Sequence, residues 1–353
     1  MRGLRVPSEP TKTSSSSRGS SAAANAPLEH STQTPPVGWT LRAWLSANKR
    51  GVPRVLSDMI LSARWTHVSL FLALVGTALL PTQAAAVTSG PNGRILFESN
   101  RTAWTPQTSS HKELFTMNAD GSGLSQLTTG AGSYDGTWSP DGRQIAFGRA
   151  GAIWLMDANG SHARRITTGD LDFGATWSPD GKKIAFDRSS TGLDSAIWVV
   201  NADGTNEQRL TPDGFDGWPA WSPAGKQIAF ARRNAIWVMA ADGSGGHPVT
   251  EGGDDAEPSF APGGKRIAFS RAGDIWIANS TGGGEHQLTT SEDNYSPAWS
   301  PDGRWIVFSG GDLHAAPVDF GDVRVIKPDG TGERTLTFPQ SPRRDGRPDW
   351  GRT

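Results

Sequence analysis

Six aspartates stand shortly before a recurring aromatic residue, and together they could form a ring of carboxylates. They are Asp135, Asp172, Asp216, Asp255, Asp293 and Asp345. Carboxylates gathered at one place can hold a cation such as Ca²⁺ or capture a basic peptide. Four of them precede the aromatic residue by five positions, whereas Asp135 precedes it by three and Asp293 by six. Because aspartate is also common in turns, an ordinary role in the loops is the alternative.

Trp218 closely follows one of these aspartates and is out of register with the other tryptophans of the repeat. Four tryptophans share one repeat position, which predicts packing between repeats. They are Trp154, Trp198, Trp237 and Trp276. Trp218, Trp104 and Trp305 fall outside this register and are expected on an exposed contact surface. Trp218 therefore joins the six aspartates as a candidate partner-binding residue.

The other reactive side chains show no catalytic pattern. The sequence contains neither Gly-x-Ser-x-Gly nor His-Glu-x-x-His, the signatures of common hydrolases. His247 and His286 occupy the same position in two different repeats, where outer elements diverge, so a shared metal site is not expected. The sequence predicts a protein without catalytic residues or cofactor, apart from possible Ca²⁺ at the aspartates. A metal-dependent lyase or lactonase with its site in a central channel is the alternative.

The recurring aromatic residue begins a repeated block that predicts the elements. Its six copies are Trp138, Trp177, Trp221, Phe260, Trp299 and Trp350, at intervals of 39 to 51 residues. Most copies continue with Ser-Pro-Asp-Gly, then Ile-Ala-Phe, a run such as Ile-Trp-Val-Met, Ala-Asp-Gly and Leu-Thr. Pro, Asp and Gly favour tight turns, and the short β-branched or aromatic runs favour strands. The second half of the block holds 15 residues in every copy, which predicts one rigid hairpin.

Each repeat therefore supplies four strands, and repeats of about 40 residues predict an all-β, six-bladed β-propeller of four-stranded antiparallel blades. The chain ends on an aromatic strand around Trp350, whereas the first repeat begins at its second strand, Ile95 to Phe97. Pairing of these N- and C-terminal strands would complete the sixth blade. Two long loops, 100–112 and 310–322, would then be neighbours, where extra loop length favours binding specificity.

The repeat resembles the PD40, or TolB-type, WD40-like propeller repeat over residues 88–353. This resemblance implies a protein- or peptide-binding scaffold of the cell envelope rather than an enzyme. For TolB-type proteins the partner is a peptidoglycan-associated lipoprotein, bound by the propeller together with an N-terminal α/β domain. That domain is missing here, so the chain is interpreted as a propeller-only relative.

The segment before the repeats has the composition of a leader. Residues 7–37 are rich in Ser, Thr, Pro and Ala, which predicts disorder, and residues 1–58 are interpreted as a disordered segment and a possible extension ahead of the true start. Residues 59–86 contain a 13-residue apolar run, 68–80, followed by Ala84-Ala85-Ala86, which is typical of a signal peptide. An uncleaved membrane anchor is the alternative. The propeller is expected to occupy residues 87–353.

Charge and cysteine content restrict the partners. After residue 86 the chain carries 25 Lys and Arg against 32 Asp and Glu, a net charge of −7 that disfavours nucleic acid and anionic membrane. The absence of Cys excludes disulfides and a lipidated N-terminal Cys. The sequence therefore predicts an extracytoplasmic monomer, periplasmic or secreted, without stable membrane insertion after cleavage.

Overall fold

Short antiparallel strands joined by tight turns build the protein, as the β-branched and aromatic runs of the repeat predict. The computed structural model describes residues 92–102, 111–169, 171–189, 194–212, 214–291, 293–312, 319–338 and 344–352. All regular secondary structure within these ranges is β-strand. The described residues therefore contain no helix that is long and apolar enough to cross a membrane. The predicted leader, residues 1–86, and Trp104 lie outside them, as do parts of both long loops.

The strands form six four-stranded sheets, which are the blades of a propeller. Blade 1 contains β1 (Asn92–Ser99), β2 (Glu113–Met117), β3 (Ser125–Gln126) and, innermost, β24 (Asp345–Arg352). Blade 2 contains β4 (Ser133–Trp138), β5 (Gln144–Arg149), β6 (Ala152–Asp157) and β7 (Arg164–Arg165). Blade 3 contains β8 (Asp172–Trp177), β9 (Lys183–Arg188), β10 (Ala196–Asn201) and β11 (Gln208–Arg209).

The remaining three blades repeat the same order from the inner to the outer strand. Blade 4 contains β12 (Gly217–Trp221), β13 (Gln227–Arg232), β14 (Ala235–Ala240) and β15 (His247–Pro248). Blade 5 contains β16 (Asp255–Phe260), β17 (Arg266–Arg271), β18 (Asp274–Asn279) and β19 (His286–Gln287). Blade 6 contains β20 (Tyr295–Trp299), β21 (Ile306–Asp312), β22 (Asp319–Ile326) and β23 (Arg334–Thr335). The predicted fold class is therefore confirmed.

A threonine after each two-residue outer strand explains the constant length of the second half of the repeat. Its hydroxyl oxygen accepts a hydrogen bond of 2.8–2.9 Å from the backbone N–H near the start of the third strand. The threonines are Thr128, Thr167, Thr211, Thr250, Thr289 and Thr337. An insertion between the two partners would break this bond, so every copy keeps the same spacing.

The core lies between neighbouring blades. The Phe of each second strand is fully buried, and the aromatic residue that ends each inner strand is at most 7% exposed. The register-sharing tryptophans of the third strands are only partly buried and pack against the edge of this core. Each packs against a cluster formed by two neighbouring blades, as predicted, and each also presents one ring face to an arginine.

Pairing of the chain ends closes the ring. β24 pairs antiparallel with β1, with Trp350 opposite Ile95 and Asp349 opposite Leu96. The buried Asp349 carboxylate accepts hydrogen bonds from the Trp138 backbone N–H at 2.7 Å and the Thr137 hydroxyl at 3.0 Å. One carboxylate thus joins the closing blade to blade 2, and the predicted closure is confirmed.

We predict that Asp349→Ala destabilises the protein by about 1–3 kcal/mol, because it leaves buried donors of blade 2 without an acceptor. Urea unfolding followed by tryptophan fluorescence would measure the change. Asp349→Asn keeps an acceptor oxygen and is the matched control, for which we expect a smaller loss. Equal stability of Asp349→Ala and the natural protein would contradict this role.

Candidate functional site

The candidate site lies at the face where the inner strands begin. In each blade the first residues of the inner strand pair with the end of the second strand, which in turn pairs with the start of the third, as Asp172 pairs with Arg188 and Arg188 with Ala196. The connections that enter the inner strands and those between second and third strands therefore open on one face, which we call the loop face. All six predicted aspartates lie towards this face.

Three of the aspartates form clamps with an arginine of their own blade. Asp172 receives two hydrogen bonds from Arg188, at 2.6 and 2.9 Å. Asp216 binds Arg232 and Asp255 binds Arg271 in the same bidentate way, at 2.5–2.8 Å. The aspartate side chains are fully buried, and the arginine side chains are 14–20% exposed.

Each clamp arginine is also held by two aromatic rings. The Arg188 guanidinium carbon lies 5.2 Å from the Phe186 ring centre and 4.7 Å from that of Trp198. The same sandwich recurs in blades 4 and 5. Cation–π contact and a bidentate carboxylate together satisfy the cation. The clamps therefore tie three strands of a blade together at the loop face.

Of the other three aspartates, Asp345 has a similar arginine partner, whereas Asp293 and Asp135 have different surroundings. Asp345 binds Arg101, whose guanidinium lies over Phe97 and Phe115. Asp293 is 8% exposed, and its neighbour Asn294 takes the clamp register instead. Asp135 lies within its inner strand and contacts Arg347 of blade 1 at 2.5 Å. The register differences in the sequence thus correspond to different structural positions, and partner binding by the six aspartates stays a prediction.

All six inner strands carry a β-bulge at one position, three residues before the terminal aromatic residue. Pairing shifts register there in every blade, and the residue adopts a left-handed conformation with φ between 50° and 59°. The six residues are Asp135, Gly174, Trp218, Glu257, Ser296 and Arg347. Because five are not glycine, each of these costs about 1 kcal/mol or more in backbone strain. We call this set the bulge ring.

Neighbouring members of the bulge ring are joined by polar contacts between blades. The Trp218 N–H donates to Asp187 at 3.2 Å, and the Asp135 N–H donates to Glu98 at 3.3 Å. The Ser296 N–H donates to the Glu257 carboxylate. At these three junctions a side chain of one blade thus accepts a bond from the bulge of the next blade.

One half of the bulge ring is electrically balanced. Arg347 contacts Asp135 at 2.5 Å and Glu98 at 3.2 Å, and Lys112 also pairs with Glu98. Burial raises the pKa of Asp135 to about 6, although Arg347 opposes this shift. Burial would also raise the pKa of Glu98, but Lys112 and Arg347 outweigh it and hold that pKa below its usual value. Two cations therefore face two carboxylates.

The other half carries two buried carboxylates, Asp187 and Glu257, for which the described part of the chain supplies no ion pair. Asp187 occupies space that Gly174 leaves open, since a Cβ there would lie 2.6 Å from its Oδ1. Burial raises the pKa of Asp187 to about 7, opposed by the Trp218 N–H. Burial also raises the pKa of Glu257, opposed by Ser270 and Ser296. Trp218 lies between these two carboxylates in the order of the blades.

Three bulge residues hold a buried polar atom with no hydrogen-bond partner among the described residues. These atoms are Asp135 Oδ2, Trp218 Nε1 and Ser296 Oγ. Buried polar groups are normally satisfied, so a ligand that reached this layer could supply the missing bonds. The indole N–H groups of Trp138, Trp177, Trp221 and Trp299 also lack partners among the described residues, but they repeat from blade to blade and belong to the scaffold. Trp218, expected on an exposed surface, is instead partly buried in this layer.

Sequence reasoning missed most of this layer. It found Asp135 and Trp218. It did not find the other bulge residues with side chains, or Asp187 and Glu98, which accept hydrogen bonds from the bulge backbone. The available signal was the third position before the aromatic residue, which changes type in every copy while its surroundings repeat. Trp305, by contrast, lies near the turns at the opposite face, against Lys327 and Arg334.

Metal ligands are not gathered anywhere in the part of the chain that the structure describes, by the criterion of three or more His, Cys, Asp or Glu. His247 and His286 stand at the start of the outer strands of two blades and are exposed, as expected. Ca²⁺ binding at the aspartates stays a prediction.

Comparison with known proteins gives a family and a set of related folds. Residues 85–233 and 170–352 match the PD40 family, the TolB beta propeller domain. No curated protein sequence matches the chain. TolB from Acinetobacter baumannii is similar in structure with a TM-score of 0.63 and 23% identity, over 74% of this chain and 67% of that one.

Two further solved structures share the fold. A chain of a nidogen/laminin complex matches with a TM-score of 0.57 and 12% identity, over 72% of this chain and 98% of that one. An oligogalacturonate lyase in complex with manganese matches with a TM-score of 0.50 and 14% identity, over 72% and 77%. At these identities the likeness concerns architecture, which hosts many functions.

We predict that Asp216→Asn destabilises the protein by about 3 kcal/mol, because Arg232 would keep its charge and lose its carboxylate. Chemical unfolding of the variant at pH 7 would measure this. An unchanged midpoint of unfolding would show that the clamp contributes nothing to stability.

We predict the opposite behaviour for Asp187→Asn. The pKa of Asp187 near 7 lies above its unfolded value near 4, so the folded state retains a proton that the unfolded state releases, and this stabilisation is lost as pH rises from about 4 to about 7. The stability of the variant relative to the natural protein should therefore increase over that window, by on the order of a few kcal/mol at pH 8. Unfolding measured at pH 4.5 to 8 tests this, and a constant difference between the two proteins would contradict it.

Proposed function

The chain belongs to the PD40 family of TolB beta propeller domains, and from that premise we propose that it is a non-catalytic module that binds a protein or peptide partner. The observation that carries the proposal is the bulge ring. Five strained residues are held at one layer of the channel, and three of them bury an unsatisfied polar atom. Strain and unsatisfied polar groups of this kind are typical of binding sites.

The loop face is the docking surface in this proposal. The ends of the second strands β1 and β21, from which the two long connections leave, and the clamp aspartates belong to this face, and the bulge ring lies below them. The clamps give the rim a rigid support, because each aspartate is already bound to an arginine. Binding then requires little reorganisation of the rim, which lowers the entropic cost of association.

One of the structural neighbours favours a protein as the partner. A structural neighbour comes from a nidogen/laminin complex, so a propeller of this architecture takes part in a protein complex. Net charge of −7 beyond residue 86 disfavours nucleic acid. We further propose export to the periplasm or the extracellular space, supported by the leader-like layout of residues 59–86, with a cell-envelope lipoprotein among the candidate partners and the protein itself a monomer.

A metal-dependent lyase or lactonase is the second candidate, favoured by the likeness to the manganese complex of oligogalacturonate lyase. It would need metal ligands directed into the channel. Metal analysis of the purified protein, together with calorimetric titration of Ca²⁺ and Mn²⁺, separates the two candidates. Stoichiometric metal that Asp187→Asn or Glu257→Gln removes would favour the enzyme.

We predict that Trp218→Ala abolishes capture of a partner from envelope extracts by the immobilised full chain, because Trp218 belongs to the bulge ring below the proposed docking surface. Trp305→Ala, on the opposite face, is the matched control and should capture as much as the natural protein. Quantitative mass spectrometry of the retained proteins would measure both. Capture that survives Trp218→Ala but not Trp305→Ala would place the docking surface on the other face.

A further inference from the structure

The two halves of the bulge ring differ in charge, and this difference defines a ligand. Around Arg347 the charges cancel, since Arg347 and Lys112 face Asp135 and Glu98. Across the ring, Asp187 and Glu257 carry two buried negative charges when ionised, with no cation within ion-pair distance among the residues that the structure describes. Buried carboxylates are normally paired. Positive charge from outside the chain would therefore stabilise the ionised form of both groups.

Each of the two carboxylates accepts a backbone N–H from the bulge of the next blade. Asp187 contacts the Trp218 backbone, and Glu257 contacts Ser296. Charges also act across the ring: Arg347 lowers the pKa of Glu257, and Asp135 raises that of Asp187. A cation placed beside Trp218 would therefore be attracted by both carboxylates.

The unsatisfied atoms specify what accompanies the cation. Asp135 Oδ2 can only accept a hydrogen bond when the carboxylate is ionised, Trp218 Nε1 can only donate one, and Ser296 Oγ can do either. A ligand that satisfies them must bring both a donor and an acceptor. A peptide segment with a basic side chain does so, because the ammonium or guanidinium donates and the peptide carbonyl accepts.

Gly174 is the opening that makes this arrangement possible. Its φ of 59° matches the other bulges, but it has no side chain, and Asp187 from the neighbouring strand fills the place. The bulge ring therefore presents, in blade order, Asp135, Asp187, Trp218, Glu257, Ser296 and Arg347. One side of the ring holds the ion pair between Asp135 and Arg347. On the other side Trp218 follows Asp187 and precedes Glu257 in blade order.

We propose that Asp187, Trp218 and Glu257 form a subsite for one lysine or arginine side chain of a peptide partner. This inference rests on the proposed function and names the class of segment that enters the channel. The clamp aspartates at the rim are not part of the subsite, because their charges are bound by arginines of the same blades.

The test uses the full chain and short capped peptides. The probe is N-acetyl-Gly-Arg-Gly-amide, whose only charge is the guanidinium, and the matched neutral probe carries citrulline in place of arginine. Isothermal titration calorimetry at pH 8 and low salt measures both. We expect the arginine peptide to bind about tenfold or more tightly than the citrulline peptide, as expected for a buried charge pair. Equal affinity, or no binding by either peptide, would overturn the proposal.

Variants locate the subsite. Asp187→Asn and Glu257→Gln keep the size of the side chain and an acceptor oxygen. Each should weaken the affinity for the arginine peptide by about tenfold. Asp242→Asn, an exposed turn carboxylate outside the ring, is the matched control and should leave affinity unchanged. Thermal unfolding confirms that each variant is folded. Unchanged affinity in both ring variants would exclude this subsite.

The outcome is separable from that of the proposed function. If envelope partners are still captured by Asp187→Asn and Glu257→Gln, and arginine gives no advantage over citrulline, partner binding stands and the basic-residue subsite falls. In the opposite case the arginine peptide binds, both Asp187→Asn and Glu257→Gln abolish its binding, and no envelope partner is captured. This result would support the subsite and reject the proposal of an envelope partner.

Discussion

Ring closure by the pairing of β24 with β1 is the constraint on which the other features depend. A single blade buries only part of its apolar surface, and the blades on either side of it must complete the core. The closing pair brings Trp350 opposite Ile95 and places Asp349 against blade 2. It also brings Arg347 beside Asp135 and Glu98. One pairing event therefore completes the core and balances one half of the channel charge.

The bulge ring shows how a repeated scaffold acquires a unique site. The backbone conformation at the bulge is the same in all six blades, with φ near 55°, so it belongs to the scaffold. The side chain is different in every blade, so it does not follow the repeat. Bulges commonly re-aim side chains next to functional sites. Here the repeated strain holds six different groups in one layer, and the closed ring keeps them together.

Aspartate serves two distinct purposes in this protein. In the clamps the carboxylate binds an arginine that is also sandwiched by Phe and Trp rings, so charge and aromatic packing stabilise the loop face from within each blade. In the bulge ring Asp187 is buried without an arginine, and burial raises its pKa to about 7. Aspartate thus forms structural ion pairs at the rim, whereas in the channel an aspartate has a pKa near neutral pH.

The sequence by itself determined the architecture. Turn residues at constant spacing, β-branched runs and the split ends predicted six four-stranded blades and their closure, because these features depend on local conformation and on the repeat length. The sequence also separated Asp135 and Asp293 from the other aspartates by register. Only the tertiary structure decided that the remaining four are bound by arginines of their own blades, and that Asp187 enters the space beside Gly174. These outcomes depend on contacts between strands and blades far apart in the chain, and such contacts set the charge balance of the channel.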